Sequence, residues 1–214
     1  MLFDLATITA ENAYKLLVST VVPRPIAWVT TRDVDGTLNA APFSFFNAMS
    51  GYPPVVCLGI GGRAPGDIKD TGGNIRRTGD FVVNLVSYPL AEQMNITAID
   101  FPKGINELAE AGLTAVPSVK VRPPRIAQAP VAMECERLVI VDVGIARAVI
   151  LGRVLAIHIK DEFVLDAERC YIDSPKLDLI GRMHGRGWYA RTTDLFDLPR
   201  IMLDDWRARR RMGH

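Results

Sequence analysis

The stretch that most constrains this chain is Pro23–Phe46, PRPIAWVTTRDVDGTLNAAPFSFF. Its first limb, Ile26–Thr31, holds a tryptophan and two β-branched threonines, residue types that suit a pleated, half-buried surface. Asp35-Gly36 follows, the strongest short-range hairpin signal, because glycine takes positive φ without steric cost. The return limb, Leu38–Pro42, delivers Asn39, Ser44 and the pair Phe45-Phe46 to its exit. An amide, a hydroxyl and two aromatic rings at the end of a hairpin make a shelf for a flat ligand with a polar tail. Thr30 and Thr31 add hydroxyls, and backbone N–H groups from Ala40 to Ser44 can reach a ring edge. Arg24, held out of the helical region between Pro23 and Pro25, reads either as a cation near an anionic ligand or as an ordinary loop arginine.

The rest of the chain reads as short strands with a few helices. Thr9 caps a helix or turn running to Leu17. Val55–Ile60 is a continuous apolar run of strand length, in which Cys57 reads as a small core residue. The glycine-rich loop from Gly61 carries Arg63, Lys69 and Thr71. It leads to a helix capped by Asp70 or Thr71 and ended by Gly79, with Arg76-Arg77 in its last turn. Such loops hold phosphate through backbone N–H groups, although this one matches neither a P-loop nor a dinucleotide fingerprint. Phe81–Val86 is a strand whose Asn84 needs partners if buried. Pro89–Ile99 and Asn106–Ala111 read as helices, the second stopped by Gly112. Val119–Ile126 is extended. Met133–Val143 and Ala146–Ile159 form a long hairpin around Gly144, with Glu134 and Glu136 on one face as solvent-facing or salt-bridged carboxylates. Leu177–Gly181 is a last strand before the loop that contains His184. The expected fold is mainly β, an antiparallel barrel with helical additions, in one domain over residues 1–214 with its core at about 20–196.

Composition excludes several classes. The formal net charge of +1 gives no field for nucleic acid or an anionic membrane, and no apolar run is long enough for a transmembrane helix. Only Trp206–Arg211 is locally basic, and it reads as a solvated, partly disordered tail. Three cysteines and three scattered histidines form neither a disulfide framework nor a metal site, which suits a reducing cytoplasm. No nucleophile elbow, HExxH motif or Ser/His/Asp set supports hydrolysis.

The ordered set RPIAWVTT, DGTLNAAPFSFFNAMSGYPPVV and KDTGGNIRRTGDFVVNLV resembles the flavin reductase-like, FMN-binding split-barrel family. The resemblance continues through Glu107, Ala111-Gly112-Leu113, Pro123-Pro124-Arg125-Ile126 and Glu134-Cys135, and closes with Gly181-Arg182-Met183, Gly187 and Tyr189. It implies a six-stranded antiparallel Greek-key split barrel, a homodimer with flavin near the interface, and FMN, or FAD in some members, as cofactor. It places Asn39, Ala41, Pro42, Ser44, Phe45, Asn47, Lys69, Asp70 and Thr71 at the flavin. It implies hydride transfer between NAD(P)H and flavin, which can serve a partner monooxygenase or another electron acceptor. The alternative is a flavoredoxin-like electron carrier with little NAD(P)H turnover. The histidine that NADH-using members place near nicotinamide is replaced by Arg147 here, which leaves Arg147 and His184 as nicotinamide candidates. No catalytic side chain and no metal ligand is expected, since the cofactor carries the chemistry.

Overall fold

The computed structural model describes residues 1–62, 68–102 and 104–212; Arg63 and His214 lie outside them. Seven strands form the main sheet: β1 (Ala27–Arg32), β2 (Leu38–Phe43), β3 (Phe46–Gly51), β4 (Pro54–Ile60), β5 (Asp80–Asn84), β6 (Val131–Gly144) and β7 (Arg147–Ile159). Their order is β2-β1-β5-β6-β7-β4-β3, with every neighbouring pair antiparallel. The two edge strands, β2 and β3, are consecutive in the chain and separated only by Ser44 and Phe45. The chain itself therefore turns the corner between the sheet's edges. The Gly59 N–H donates to the Phe45 carbonyl at 2.7 Å and ties that corner to β4. The split-barrel expectation holds. The seventh strand arises because one extended segment bends at Ser44-Phe45 and joins the sheet twice.

The hairpin signal is met as expected. Arg32 lies opposite Leu38, and Gly36 takes φ of 91° in the turn. The alternation of β1 divides two cores. Ala27 and Val29 point inward with Phe43, Leu58, Phe81 and Ile150. Trp28 points outward into a second cluster with Met94, Leu108 and Ile126. Its buried indole N–H needs a partner and donates to the Thr97 hydroxyl at 2.8 Å. Asn84 is fully buried and structural: its amide donates to the Trp28 carbonyl at 3.0 Å and accepts from the Ile126 N–H at 2.9 Å.

Five α-helices decorate this frame among the described residues. Helix α1 (Ala10–Thr20) is capped by Thr9, whose hydroxyl accepts from the Asn12 N–H at 3.2 Å. Helix α2 (Asp70–Thr78) packs on β1 and β2 and ends at Gly79, φ 81°. Its cap differs from expectation. Lys69 occupies the N-cap position with no side-chain bond to the helix, and the Thr71 hydroxyl instead accepts from the Asn39 amide. Helix α3 (Ala91–Ile96) is shorter than expected, because the segment Tyr88–Leu90, with Pro89 at its start, forms a 3-10 turn. Helix α4 (Glu107–Glu110) is capped by Asn106. The tail expected to be a solvated end carries α5 (Leu203–Met212), with Asp204 and Asp205 in its first turn, where acids suit the helix dipole. The last strand expected from Leu177 is confined to Ile180–Arg182, which pairs with Arg24–Pro25 and Tyr189–Arg191.

Candidate functional site

Two cavities meet at the corner where β2 becomes β3. The first, about 380 Å³, is lined by Pro42, Phe43, Ser44, Phe45, Lys69 and Arg147, with Gly61 and Gly62 at its rim. The second, about 370 Å³, is lined by Arg24, Ser44, Phe45, Asn47, Met49 and neighbouring apolar groups. Both fall in the range of small-molecule sites, roughly 300–1,000 Å³. They share Ser44, Phe45, Gly59 and Val149 as a common wall. Gly59 permits this corner, since a Cβ there would lie 2.9 Å from the Phe45 Cβ. A glycine inside an apolar strand is a sequence signal that could have shown this close approach. Tyr14 of α1 reaches over the same wall, its ring centroid 6.2 Å from that of Phe45.

Cations gather in the first cavity. The Lys69 ammonium lies 5.7 Å from the Phe43 ring centroid, within cation–π range. Arg147 stands at the start of β7, and its guanidinium lies over Gly61, where a Cβ would meet it at 3.4 Å. Lys69, Asp70 and Thr71 form the start of α2, and with Asn39, Ala41 and Pro42 they also line a small side cavity of about 60 Å³. The Asn39 amide donates to the Thr71 hydroxyl at 2.8 Å, so a strand and a helix N-terminus hold each other at this point.

The structure brings Pro42, Ser44, Phe45, Asn47, Lys69 and Arg147 to the two cavities of the corner, while Asn39, Ala41, Asp70 and Thr71 line the small side cavity that shares Pro42 and Lys69. It places the other candidates elsewhere. Thr30 is buried and its hydroxyl donates to the Pro124 carbonyl at 2.5 Å. Thr31 is buried and accepts from the Asn74 amide at 3.0 Å. Both hydroxyls serve packing, one on each face of β1. His184 is exposed and stacks on Trp188, outside the lining of either cavity. Leu17, Tyr14 and Val149 were not legible as site residues, because only long-range folding brings them to the corner.

Arg24 is 6% exposed and takes the structural role. Its Nη1 donates to the carbonyls of Val18 and Val21, both at 2.7 Å, and its Nη2 to that of Met183 at 3.0 Å. Burial lowers its pKa below the ordinary arginine value. Burial raises the Cys57 thiol, so it sits in the second cavity's wall as a neutral group. Glu134, fully buried, is ion-paired as one of the two expectations for it allowed. It accepts from the Val119 and Lys120 N–H groups at 2.8 and 2.5 Å and meets His158 Nε2 at 2.5 Å. It fastens the 117–126 segment to the sheet and lines none of the cavities described here. Among the described residues no cluster of His, Cys, Asp and Glu could hold a metal.

The chain has relatives among known proteins. Residues 18–174 match the family model described as flavin reductase like domain. A protein of Deinococcus radiodurans is 44% identical over 99% of this chain and 96% of its own length. Among solved structures, 2-nitrobenzoate 2-nitroreductase NbaA of Pseudomonas fluorescens superposes with a TM-score of 0.86 at 33% identity, covering 95% of this chain and 98% of that one. Nitrilotriacetate monooxygenase component B of Bacillus cereus gives a TM-score of 0.86 at 30% identity, covering 92% and 98%.

Proposed function

Because this chain belongs to the flavin reductase like family, we propose that it binds FMN at the β2–β3 corner and transfers a hydride from NAD(P)H through it. The observation that carries this reading is the meeting of Lys69, Arg147 and the Ser44–Phe45 wall in one 380 Å³ cavity. The donor set fits a phosphorylated flat ring. Lys69 suits the phosphate, as do the N–H groups of the first turn of α2. Phe43 and Phe45 supply apolar faces. Bound FMN would supply the hydride-accepting chemistry. The residues of the chain bind it, orient it and keep water from one side; none of them is asked to exchange a proton.

Arg147 supports the phosphorylated nucleotide, NADPH, as donor, because a guanidinium pairs with phosphate and stays charged. It also supports a second reading. A fixed cation where NADH-using relatives are expected to hold a histidine suits an electron carrier with little nucleotide turnover. The final acceptor is a partner oxygenase or another oxidant. Among the described residues no helix is long and apolar enough to cross a membrane, and Cys57, Cys135 and Cys170 are unpaired, which suits the cytoplasm. A homodimer completes the proposal.

The test is a fluorescence titration with FMN and riboflavin for wild type and Lys69→Ala. A charge-assisted contact of about 1.5–3 kcal/mol predicts that the variant loses roughly tenfold or more in FMN affinity and little for riboflavin. Equal losses for both ligands would remove Lys69 from the phosphate end, and wild type that quenches neither would overturn flavin binding.

A further inference from the structure

The second cavity, about 370 Å³, presents a chemistry the first does not. Its walls are aliphatic or aromatic at Leu17, Val21, Phe46 and Met49, and among the described residues no carboxylate lines it. Two of its polar side chains keep hydrogens to donate. The Ser44 oxygen accepts from Arg24 Nε at 3.5 Å, which leaves its own hydrogen to donate. The Asn47 side-chain oxygen accepts from the Ala48 N–H at 2.8 Å, which leaves the amide N–H groups. Among the described residues Arg24 is the only cation in its lining, and it is nearly spent. A guanidinium has five N–H groups. Two go to Val18 and Val21 at the C-terminal end of α1, one to Met183 and one to Ser44. The carbonyls at the end of α1 also offset its charge. One N–H is left, too few for the two parallel bonds that a carboxylate or phosphate takes from arginine.

We infer that this cavity receives a small uncharged molecule with an apolar ring and a carbonyl oxygen, a quinone or aromatic ketone. Donors without a free cation match a neutral acceptor atom, and a carboxylate or phosphate here would lack the paired bonds it takes from arginine. A dinucleotide's phosphate finds a cation, Arg147, in the other cavity. The shared wall of Ser44, Phe45, Gly59 and Val149 puts the two occupants side by side. As a substrate class this rests on the proposed flavin reaction: a quinone leaves as hydroquinone, gaining a hydride from the reduced flavin and a proton from water.

Isothermal titration of FMN-saturated protein with 1-tetralone and 2-naphthoate tests it, two probes of similar size that differ in charge. Tetralone should bind at least about tenfold more tightly than naphthoate. Leu17→Trp and Met49→Trp, which fill the cavity from its exposed rim, should each weaken tetralone about tenfold while FMN affinity, read by fluorescence, is kept. Naphthoate binding as tightly as tetralone, no tetralone binding to wild type, or tryptophan variants with wild-type tetralone affinity would each overturn the inference. A protein that binds no FMN sinks the flavin reading alone. The same titration without FMN then decides the cavity: tetralone binding lost in the tryptophan variants supports it, and no binding overturns it.

Discussion

At the scale of single residues, two side chains carry separable predictions. Arg147 lines the proposed cofactor cavity and is exposed, so its removal costs no buried network. If it meets a donor phosphate, Arg147→Ala should raise the NADPH concentration for half-maximal flavin reduction about tenfold and leave NADH less affected. Stopped-flow reduction with both nucleotides checks this, and unchanged rates and affinities would remove Arg147 from the donor site. Glu134 is a stability residue. Burial pushes its carboxyl up, but the Val119 and Lys120 N–H groups and His158 outweigh that and hold it below the ordinary 4.5. A depressed folded value contributes stability above the unfolded value, and that contribution is lost as pH falls through the folded one. Glu134→Gln should therefore melt below wild type at neutral pH, by about 1–3 kcal/mol, with the gap closing as pH drops below the carboxylate range. Thermal melts of both proteins from neutral pH to acid would show it. A gap that stays constant into acid would contradict the assignment.

At the scale of elements, the β6–β7 hairpin is unusual in leaving apolar residues in solvent. Val139 and Val141 are 42% and 49% exposed, and they lie opposite Leu151 and Val149 on the same face. An apolar stripe of this kind is a site for a second subunit. The same hairpin supplies Val143, Arg147 and Val149 to the cofactor cavity, so a partner packed there would border the ligand. Light scattering should show a dimer at micromolar concentration, and Val139→Asp with Val141→Asp should dissociate it. A wild-type monomer with flavin bound would refute the dimer. Both limbs of this hairpin were legible as β-runs, but their orientation was not. A run apolar on both faces lacks the alternation that tells inside from outside. The short elements were legible where punctuation was strong, as with Asp35-Gly36, Thr9 and Gly79. They were misjudged where a side chain had two possible partners. Thr71, read with Asp70 as one of two possible caps, bonds Asn39 instead, and Thr30 and Thr31 were read as ligand groups but satisfy Pro124 and Asn74.

At the scale of the molecule, the ordered motifs from Arg24 to Tyr189 made the family readable, because each piece keeps its place along the barrel. The second cavity was not readable. It exists only because α1, the Ser44-Phe45 corner, β4 and β7 converge, and no local pattern announces that meeting. The two cavities share the wall of Ser44, Phe45, Gly59 and Val149, so ligands in them would lie side by side. The central claim is that this corner holds a flavin that turns over with a pyridine nucleotide. Anaerobic absorbance of the FMN-loaded protein tests it most directly. Stoichiometric NADPH, or NADH at a slower rate, should bleach the flavin band, and admitting an oxidant should restore it. A band that neither nucleotide bleaches, while dithionite bleaches it at once, would contradict the reductase reading and leave the electron carrier in its place.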